Sequence, residues 1–395
     1  MRKIGLFIVA AILAVLVVSA QEVDTLGAYV IKLDKKLAAT PVKNQYRSGT
    51  CWSFSGLSFI ESELLRLGKG EYNLSEMFVV RNVYSDKAEK YVRLHGHLNF
   101  GAGGAFHDVT YVMKNYGLVP EDAYPGLNYG ESKHVHMEMD EVLKNFVEAI
   151  VKDPNKKLTP VWHNAFNRIL DTYLGDYPKE FTYKGKKYTP KSFMKELGLN
   201  PDDYVEITSF SHHPFYTKFP IELPDNWLWY SDYNVPLEDM MKIIDNALNN
   251  GYTVAWASDV SEDGFLWRKG IAILPDEDNQ KETGLELARW VKMSRSEKMD
   301  YISKHVVKEL NVTQEIRQRQ FDNYKTTDDH GMHIIGYGHD QNGTKFYLVK
   351  NSWGTDNNPL KGYFYASEAF VKAKTTAIMV HKDAIPGDIR KKLGL

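Results

Sequence analysis

The chain has 395 residues, 43% apolar and 13% aromatic, with a formal net charge of −2 and a single cysteine, Cys51. That is enough apolar material for the core of one large domain or two. The near-neutral balance leaves no basic footprint for nucleic acid, and one thiol makes neither an intramolecular disulfide nor a metal site by itself.

Residues 1–20 read as a secretory signal. Arg2 and Lys3 form a charged start, Ile4 to Val17 an apolar stretch and Val18-Ser19-Ala20 a small-residue cleavage site. The apolar stretch is shorter than the ~20 residues a membrane-spanning helix needs, and no later segment is apolar for long enough. The expectation is an exported protein, periplasmic or extracellular, with no membrane association once the signal is removed.

The next informative segment is Gln45 followed by Ser48-Gly49-Thr50-Cys51-Trp52. From Trp52 to Leu67 the apolar residues Phe54, Leu57, Ile60, Leu64 and Leu67 recur at helical spacing, and Gly68 supplies a stop. Cys51 therefore sits at a helix N-terminus, where the macrodipole and free N–H groups favour a negative sulfur. A lone cysteine is commonly just a small buried hydrophobe; these neighbours instead predict a nucleophile.

Gly101-Ala102-Gly103-Gly104 lacks the preceding strand and the spacing of a phosphate-cradling loop. The pairs His95/His97, His134/His136 and His212/His213 carry no cysteine or carboxylate grouping at metal-site spacing. No metal and no cofactor is predicted. Charged stretches around 131–160 and 276–325 read as solvated helix faces.

Towards the C-terminus, Asp329-His330-Gly331-Met332-His333-Ile334-Ile335-Gly336-Tyr337-Gly338 and Phe346-Tyr347-Leu348-Val349-Lys350-Asn351-Ser352-Trp353-Gly354 flank Asn342-Gly343, a hairpin signal. Such a hairpin can set a histidine beside Asn351, whose amide would fix the ring's orientation. Spacing alone leaves two candidates for the base, His330 and His333.

Gln45, the Ser-Gly-Thr-Cys-Trp segment, His330 and Asn351-Ser352-Trp353-Gly354 together resemble the papain-like cysteine peptidases. The local pattern departs from C-G-[SA]-C-[WY] at Ser48 and Thr50. The order Asn73-Leu74-Ser75-Glu76, Gly103-Gly104, Tyr116-Gly117-Leu118-Val119-Pro120 and Tyr124-Pro125 extends the likeness through a helical half. Cys51 and His330 stand 279 positions apart (330 − 51), against ~130–150 in papain and cathepsins, so an insertion separates the halves. Within it, Ile169 to Gly175, Phe210 to Phe215 and Asn249 to Val254 with Asp259 resemble the bleomycin hydrolase and aminopeptidase C branch.

The resemblance implies an α+β, papain-like two-lobed fold with a largely helical insertion. In that division residues 21–130 form the N-terminal segment and helical lobe, 131–315 an insertion subdomain that returns to the core, 316–382 a β-rich lobe and 383–395 a C-terminal arm. It implies Cys51 as nucleophile, His330 as its partner in a thiolate–imidazolium pair, Asn351 as orienting residue and Gln45 as oxyanion donor. Trp52, Asp329 and Trp353 support them, and His333 becomes a structural or surface histidine. Gly103 and Gly104 let substrate backbone approach closely. Leu395, at the end of an arm that could reach ~50 Å when extended, is expected in the cleft, its carboxylate holding the substrate's free amine. The expected function is a cysteine aminopeptidase acting on peptide substrates through a thioester. An endopeptidase with an open cleft and a catalytically idle binding protein are the alternatives. About twenty residues between the signal and Thr40-Pro41-Val42 are too few for an inhibitory pro-domain. A homohexamer, by resemblance, would restrain access instead.

Overall fold

The computed structural model describes residues 22–155, 157–276 and 292–395; the signal expected at residues 1–20 lies outside them. The chain folds into a helical lobe and a β-rich lobe. The first contains α1 (Cys51–Arg66), α2 (Glu76–Arg93), α3 (Phe106–Asn115), α4 (Met137–Val151), α5 (Trp162–Leu174) and α6 (Pro190–Leu197). Among the described residues no helix is long and apolar enough to cross a membrane.

Helix α1 starts at Cys51, one residue before the first position the apolar spacing marks, and Gly68 follows it with a φ of +68°. Nearly every side chain from Trp52 to Leu64 is buried, including Glu61 and Glu63. A helix buried all round is a core helix, and α1 is one because it packs on α2 and α3 on one side and on the β-rich lobe on the other. Its buried carboxylate Glu61 is satisfied by Thr40 Oγ1, the Leu74 N–H (2.8 Å) and the Lys43 ammonium (3.2 Å). Helix α2 begins at Ser75, whose hydroxyl accepts the Phe78 N–H at 3.0 Å, with Glu76 in its first turn and Lys90 and Arg93 in its last. That polarity complements the helix dipole.

The strands are β1 (Val23–Leu26), β2 (Tyr29–Lys36), β3 (Phe181–Tyr183), β4 (Lys186–Tyr188), β5 (Tyr204–Thr208), β6 (Lys218–Pro220), β7 (Ser231–Asn234), β8 (Val254–Ser258), β9 (Phe265–Leu266), β10 (Ile271–Ala272), β11 (His330–His339), β12 (Lys345–Lys350), β13 (Tyr363–Ser367) and β14 (Thr375–His381). All but the β3–β4 hairpin join one sheet, in the order β6-β7-β5-β14-β8-β11-β12-β13-β10-β9, with β2 also on β11 and β1 on β2. The β11–β12 hairpin is where the Asn-Gly signal puts it, and Gly343 takes a φ of +81° in the turn.

Two boundaries differ from the sequence reading. The β-rich lobe is not confined to 316–382: β5 and β8, from within 131–315, pair with β14 and β11 at the middle of the sheet. Both strands are five residues long and almost wholly buried, so they lack the alternation that betrays a strand. The C-terminus is also not an extended arm. A short helix over Gly387–Leu393 buries Ile389 and Leu393 in the β-lobe core, and Asn246, on the helix α7 (Leu237–Asn249), donates to Ala384 O at 2.7 Å. Ile385, Ile389 and Leu393 recur every four residues, so the tail gains more by coiling and burying that stripe than by staying solvated.

Candidate active site

A cavity of about 390 Å³ opens where the two lobes meet, and its walls hold Gln45, Cys51, Trp52, Gly103, Gly104, Asp329, His330 and Trp353. Cys51 is the first residue of α1. The side chain of Thr50 at the N-cap bonds Ser48 Oγ (2.6 Å) instead of capping, while the Ser53 N–H bonds Thr50 O at 3.0 Å, so the Cys51 and Trp52 N–H groups stay available. The Trp52 and Gly331 backbone N–H groups are directed at the sulfur.

His330, at the start of β11, bonds Asn351 Oδ1 through Nε2 at 2.7 Å. The same oxygen accepts the Ser352 N–H at 2.7 Å, so it is an acceptor and His330 Nε2 must be the donor. Nδ1 is then the basic nitrogen of the ring. Trp353 lies over the imidazole with ring centroids 4.6 Å apart and is itself backed by Phe265 and Trp267 at 5.9 and 5.5 Å, which keeps water from the His330–Asn351 bond. The other candidate base, His333, is fully buried and bonded to Ser58 Oγ at 2.9 Å. It is a structural histidine.

Burial pushes the Cys51 thiol up to about 11 and pulls the His330 imidazole down to about 4. Burial therefore disfavours each charge taken singly, the thiolate and the imidazolium. Desolvation penalises each charge singly; the two charges are compatible with this cavity only when they form together and attract each other at low dielectric.

Gln45 donates one amide hydrogen to Ser48 O at 2.8 Å and accepts Ser352 Oγ–H on Oε1 at 2.6 Å. These bonds fix the amide plane, and a second N–H remains for an oxygen in the cavity. Gly103 and Gly104 line the opposite wall. A Cβ on Gly104 would stand 2.8 Å from the Trp52 ring and 2.6 Å from Asp108 Oδ2, and one on Gly103 would overlap the Asp225 carboxylate. Trp52 is held by Nε1 donating to Ala102 O at 3.0 Å. Asp329 is tied to Thr327 Oγ1 (2.9 Å) and Ser261 Oγ. Leu395 does not line the cavity, and its N–H closes the C-terminal turn on Arg390 O at 3.1 Å. The expected anchoring by the terminal carboxylate is thereby corrected: the apolar stripe of the last helix carries the terminus elsewhere.

The structure adds residues that the sequence did not mark. Ser352 stands inside a quoted motif and acts on Gln45. Asp225, Asp328, Glu206 and Asp232 also line the cavity, from segments with no spacing relation to Cys51. Two groups bring potential metal ligands together: His212 and His213, each 3.0 Å from Glu222, and the buried set His107, Glu206 and Asp232.

The profile of the Peptidase C1-like family matches residues 10–313, and that of the Papain family cysteine protease matches 275–381. The chain is similar to Aminopeptidase C of Lactococcus lactis subsp. cremoris, at 23% identity over 388 residues covering 88% of this chain and 82% of the relative. It is similar to Aminopeptidase C of Listeria monocytogenes serovar 1/2a at 24% over 395 residues, covering 88% and 81%. The crystal structure of PepW from Lactobacillus rhamnosis HN001 matches with a TM-score of 0.67 at 20% identity over 92% of this chain and 84% of that one, a likeness of fold. With its helical and β-rich lobes meeting at this cleft, the chain belongs to the peptidase C1-like family and is a cysteine-type peptidase of papain-like fold.

Proposed function

We propose that this protein is a cysteine aminopeptidase in which Cys51 and His330 carry the chemistry. The observation that carries this reading is the convergence of the Cys51 thiol and the Asn351-oriented imidazole of His330 on one cavity that Gly103 and Gly104 also line. The restriction to N-terminal residues draws on the similarity to relatives named Aminopeptidase C.

In this mechanism the Cys51 proton passes to His330 Nδ1 as sulfur attacks the peptide carbonyl carbon. The carbonyl oxygen gains charge and is met by Gln45 Nε2–H and the Cys51 N–H, donors that gain strength only as charge develops. The C–N bond then breaks, His330 returns its proton to the leaving amine, and a thioester remains. Water gives a proton to His330 and attacks the thioester carbon; the C–S bond breaks, releasing the acid and restoring the thiol. Asn351 keeps Nδ1 facing the reaction through both stages, and Trp353 covers that hydrogen bond.

Cys51→Ala removes the nucleophile, and the expected outcome is no measurable turnover with an unchanged far-UV circular dichroism spectrum. Full activity in that variant would overturn the reading. One observation favours an endopeptidase instead: the C-terminal helix leaves the cleft unoccupied by the terminus. Trimming of an intact peptide from its N-terminus, followed by mass spectrometry, separates the two; internal fragments would mean an endopeptidase. Labelling by iodoacetamide, lost in Cys51→Ala, disposes of the idle binding protein.

Two wider elements of the proposal rest on the signal-like residues 1–20 and on the resemblance. The peptidase acts outside the cytoplasm, and it does so as a homohexamer. Recovery of the processed chain from the exported fraction checks the first, and light scattering at micromolar concentration checks the second.

A further inference from the structure

A buried cation that the mechanism does not use stands behind the glycine wall of the cleft. Residues 101–104 belong to no helix or strand, and three of the four are glycines, the residues with the least conformational preference of their own. Something else must fix this stretch. Lys87, on α2, is 1% exposed, and its ammonium donates to Gly101 O at 3.1 Å and to Gly103 O at 2.5 Å. The carbonyl between them, Ala102 O, accepts Trp52 Nε1–H at 3.0 Å and Tyr84 O–H at 3.3 Å. Three consecutive carbonyls are thus held by side chains of α1 and α2. Just beyond Gly104, the Ala105 N–H is held by Asp108 Oδ2 at 3.0 Å, and Asp108 in turn accepts Trp227 Nε1–H at 2.8 Å. Burial disfavours the Lys87 ammonium and lowers its pKa, against the opposing field of Asp108, Asp225 and Asp140. A buried charge is costly unless its hydrogens are used, and those of Lys87 go to the wall.

We propose that Lys87 is a positioning residue for the peptidase: from inside the helical lobe its ammonium holds Gly101 and Gly103 in one conformation and so fixes where the substrate backbone lies. The inference rests on the peptidase reading above. A peptide carbonyl offered to Cys51 lies between His330 on one side and Gly103 and Gly104 on the other, since all of them line one cavity. An ammonium has three donors, which lets one side chain bridge carbonyls two residues apart through charge-assisted bonds. Because Lys87 stands behind the lining residues and not among them, the wall keeps its shape without help from substrate and is set before substrate arrives. Take the ammonium away, and two carbonyls lose their donor while the glycines are free to move. The position of the substrate is then lost. His330, Asn351 and Gln45 keep theirs, because each is held by bonds of its own.

The test uses the full-length protein and compares Lys87→Met, similar in length but without charge or donors, with the wild type. Three readouts separate positioning of substrate from assembly of the site. The first is kcat and KM for one peptide, presented with a free and with an acetylated N-terminus so that an aminopeptidase and an endopeptidase are both served. The second is hydrolysis of p-nitrophenyl acetate, an ester without a peptide backbone. The third is the rate and pH profile of Cys51 alkylation by iodoacetamide. The expected result is a rise of about tenfold in KM for the peptide with kcat changed less than about threefold, the mark of lost substrate binding. Ester hydrolysis and alkylation should stay at wild-type rates. Peptide kinetics equal to the wild type would overturn the proposal. So would a loss carried by kcat alone, or equal losses in all three readouts, which would make Lys87 a residue of general stability. If Lys87→Met does not fold, Tyr84→Phe, which removes a donor to Ala102 O, is read in the same way: a KM rise confined to the peptide upholds the inference, and unchanged peptide kinetics overturn it. Peptide cleavage that survives Cys51→Ala would instead strike the peptidase reading itself.

Discussion

Gln45 shows how much of the site depends on single hydrogen bonds. Its amide is fixed by Ser48 O and Ser352 Oγ, so the donor it offers is already aimed before substrate arrives. Gln45→Ala should lower kcat about 10²–10³-fold with KM little changed, the usual consequence of removing one oxyanion donor. A loss confined to KM would take Gln45 out of that role. Ser352→Ala leaves the donor present but loosens its plane; the expected fall in kcat is about five- to tenfold, the kinetic equivalent of one neutral hydrogen bond. If Ser352→Ala matched Gln45→Ala, the serine would be acting on more than orientation. The positions of Gln45, Cys51, His330 and Asn351 were legible in the sequence because each stands in a short motif whose chemistry is local. The choice between His330 and His333 needed the family resemblance, since spacing treated them alike. What the structure adds is that His333 is buried against Ser58 while His330 faces the cavity.

Elements were read well where their pattern was complete. Helix α1 has its apolar spacing, its stop at Gly68 and its start at Cys51. The β11–β12 hairpin has alternation and an Asn-Gly turn. The five-residue strands β5 and β8 were missed because burial on both faces erases the period on which strand recognition depends. The C-terminal segment was misread for a different reason. The arm expected there follows from the family resemblance, whereas the every-fourth-residue stripe Ile385, Ile389 and Leu393 favours a packed helix. Ile389→Ala should therefore destabilise the protein by about 2–5 kcal/mol, the range for emptying a buried aliphatic site, as read by urea denaturation. Deletion of Gly394 and Leu395 should leave the preference for free-amine substrates where it is. A lost preference would return the terminal carboxylate to the cleft and contradict the folded position of this helix.

At the scale of the whole molecule, the cleft exists because two independently packed cores meet along α1, and its walls are drawn from segments as distant as Gln45, His107, Asp225 and Asp328. Such an assembly has no spacing signature, which is why the acidic lining was invisible in the sequence. It also sets a stability profile. Burial raises Glu206 and Glu121 to about 8 and Asp140, Asp328 and Glu309 to about 7. These groups bind protons more tightly folded than unfolded, so their contribution is complete below about pH 4.5 and is lost as pH rises through about 7–8. Buried His134 and His136 are lowered to about 4 and about 3. Their neutral forms favour the fold, and that contribution is lost as pH falls from about 6.5 towards those values. Between about pH 4.5 and 6.5 the five carboxyls outweigh the two histidines, so thermal stability should peak at about pH 4–5, and Glu206→Gln should flatten the decline on the alkaline side. An unaltered slope in that variant would mean that Glu206 is already paired in solution.

The central claim is a cysteine aminopeptidase, which demands a free amine on its substrate. The most direct measurement is kcat/KM for one peptide with a free N-terminus against the same peptide N-acetylated, with Cys51→Ala as control. Preference for the free amine by a factor of ten or more, absent in Cys51→Ala, is the predicted result. Equal or faster cleavage of the acetylated peptide would contradict the account and mean an endopeptidase.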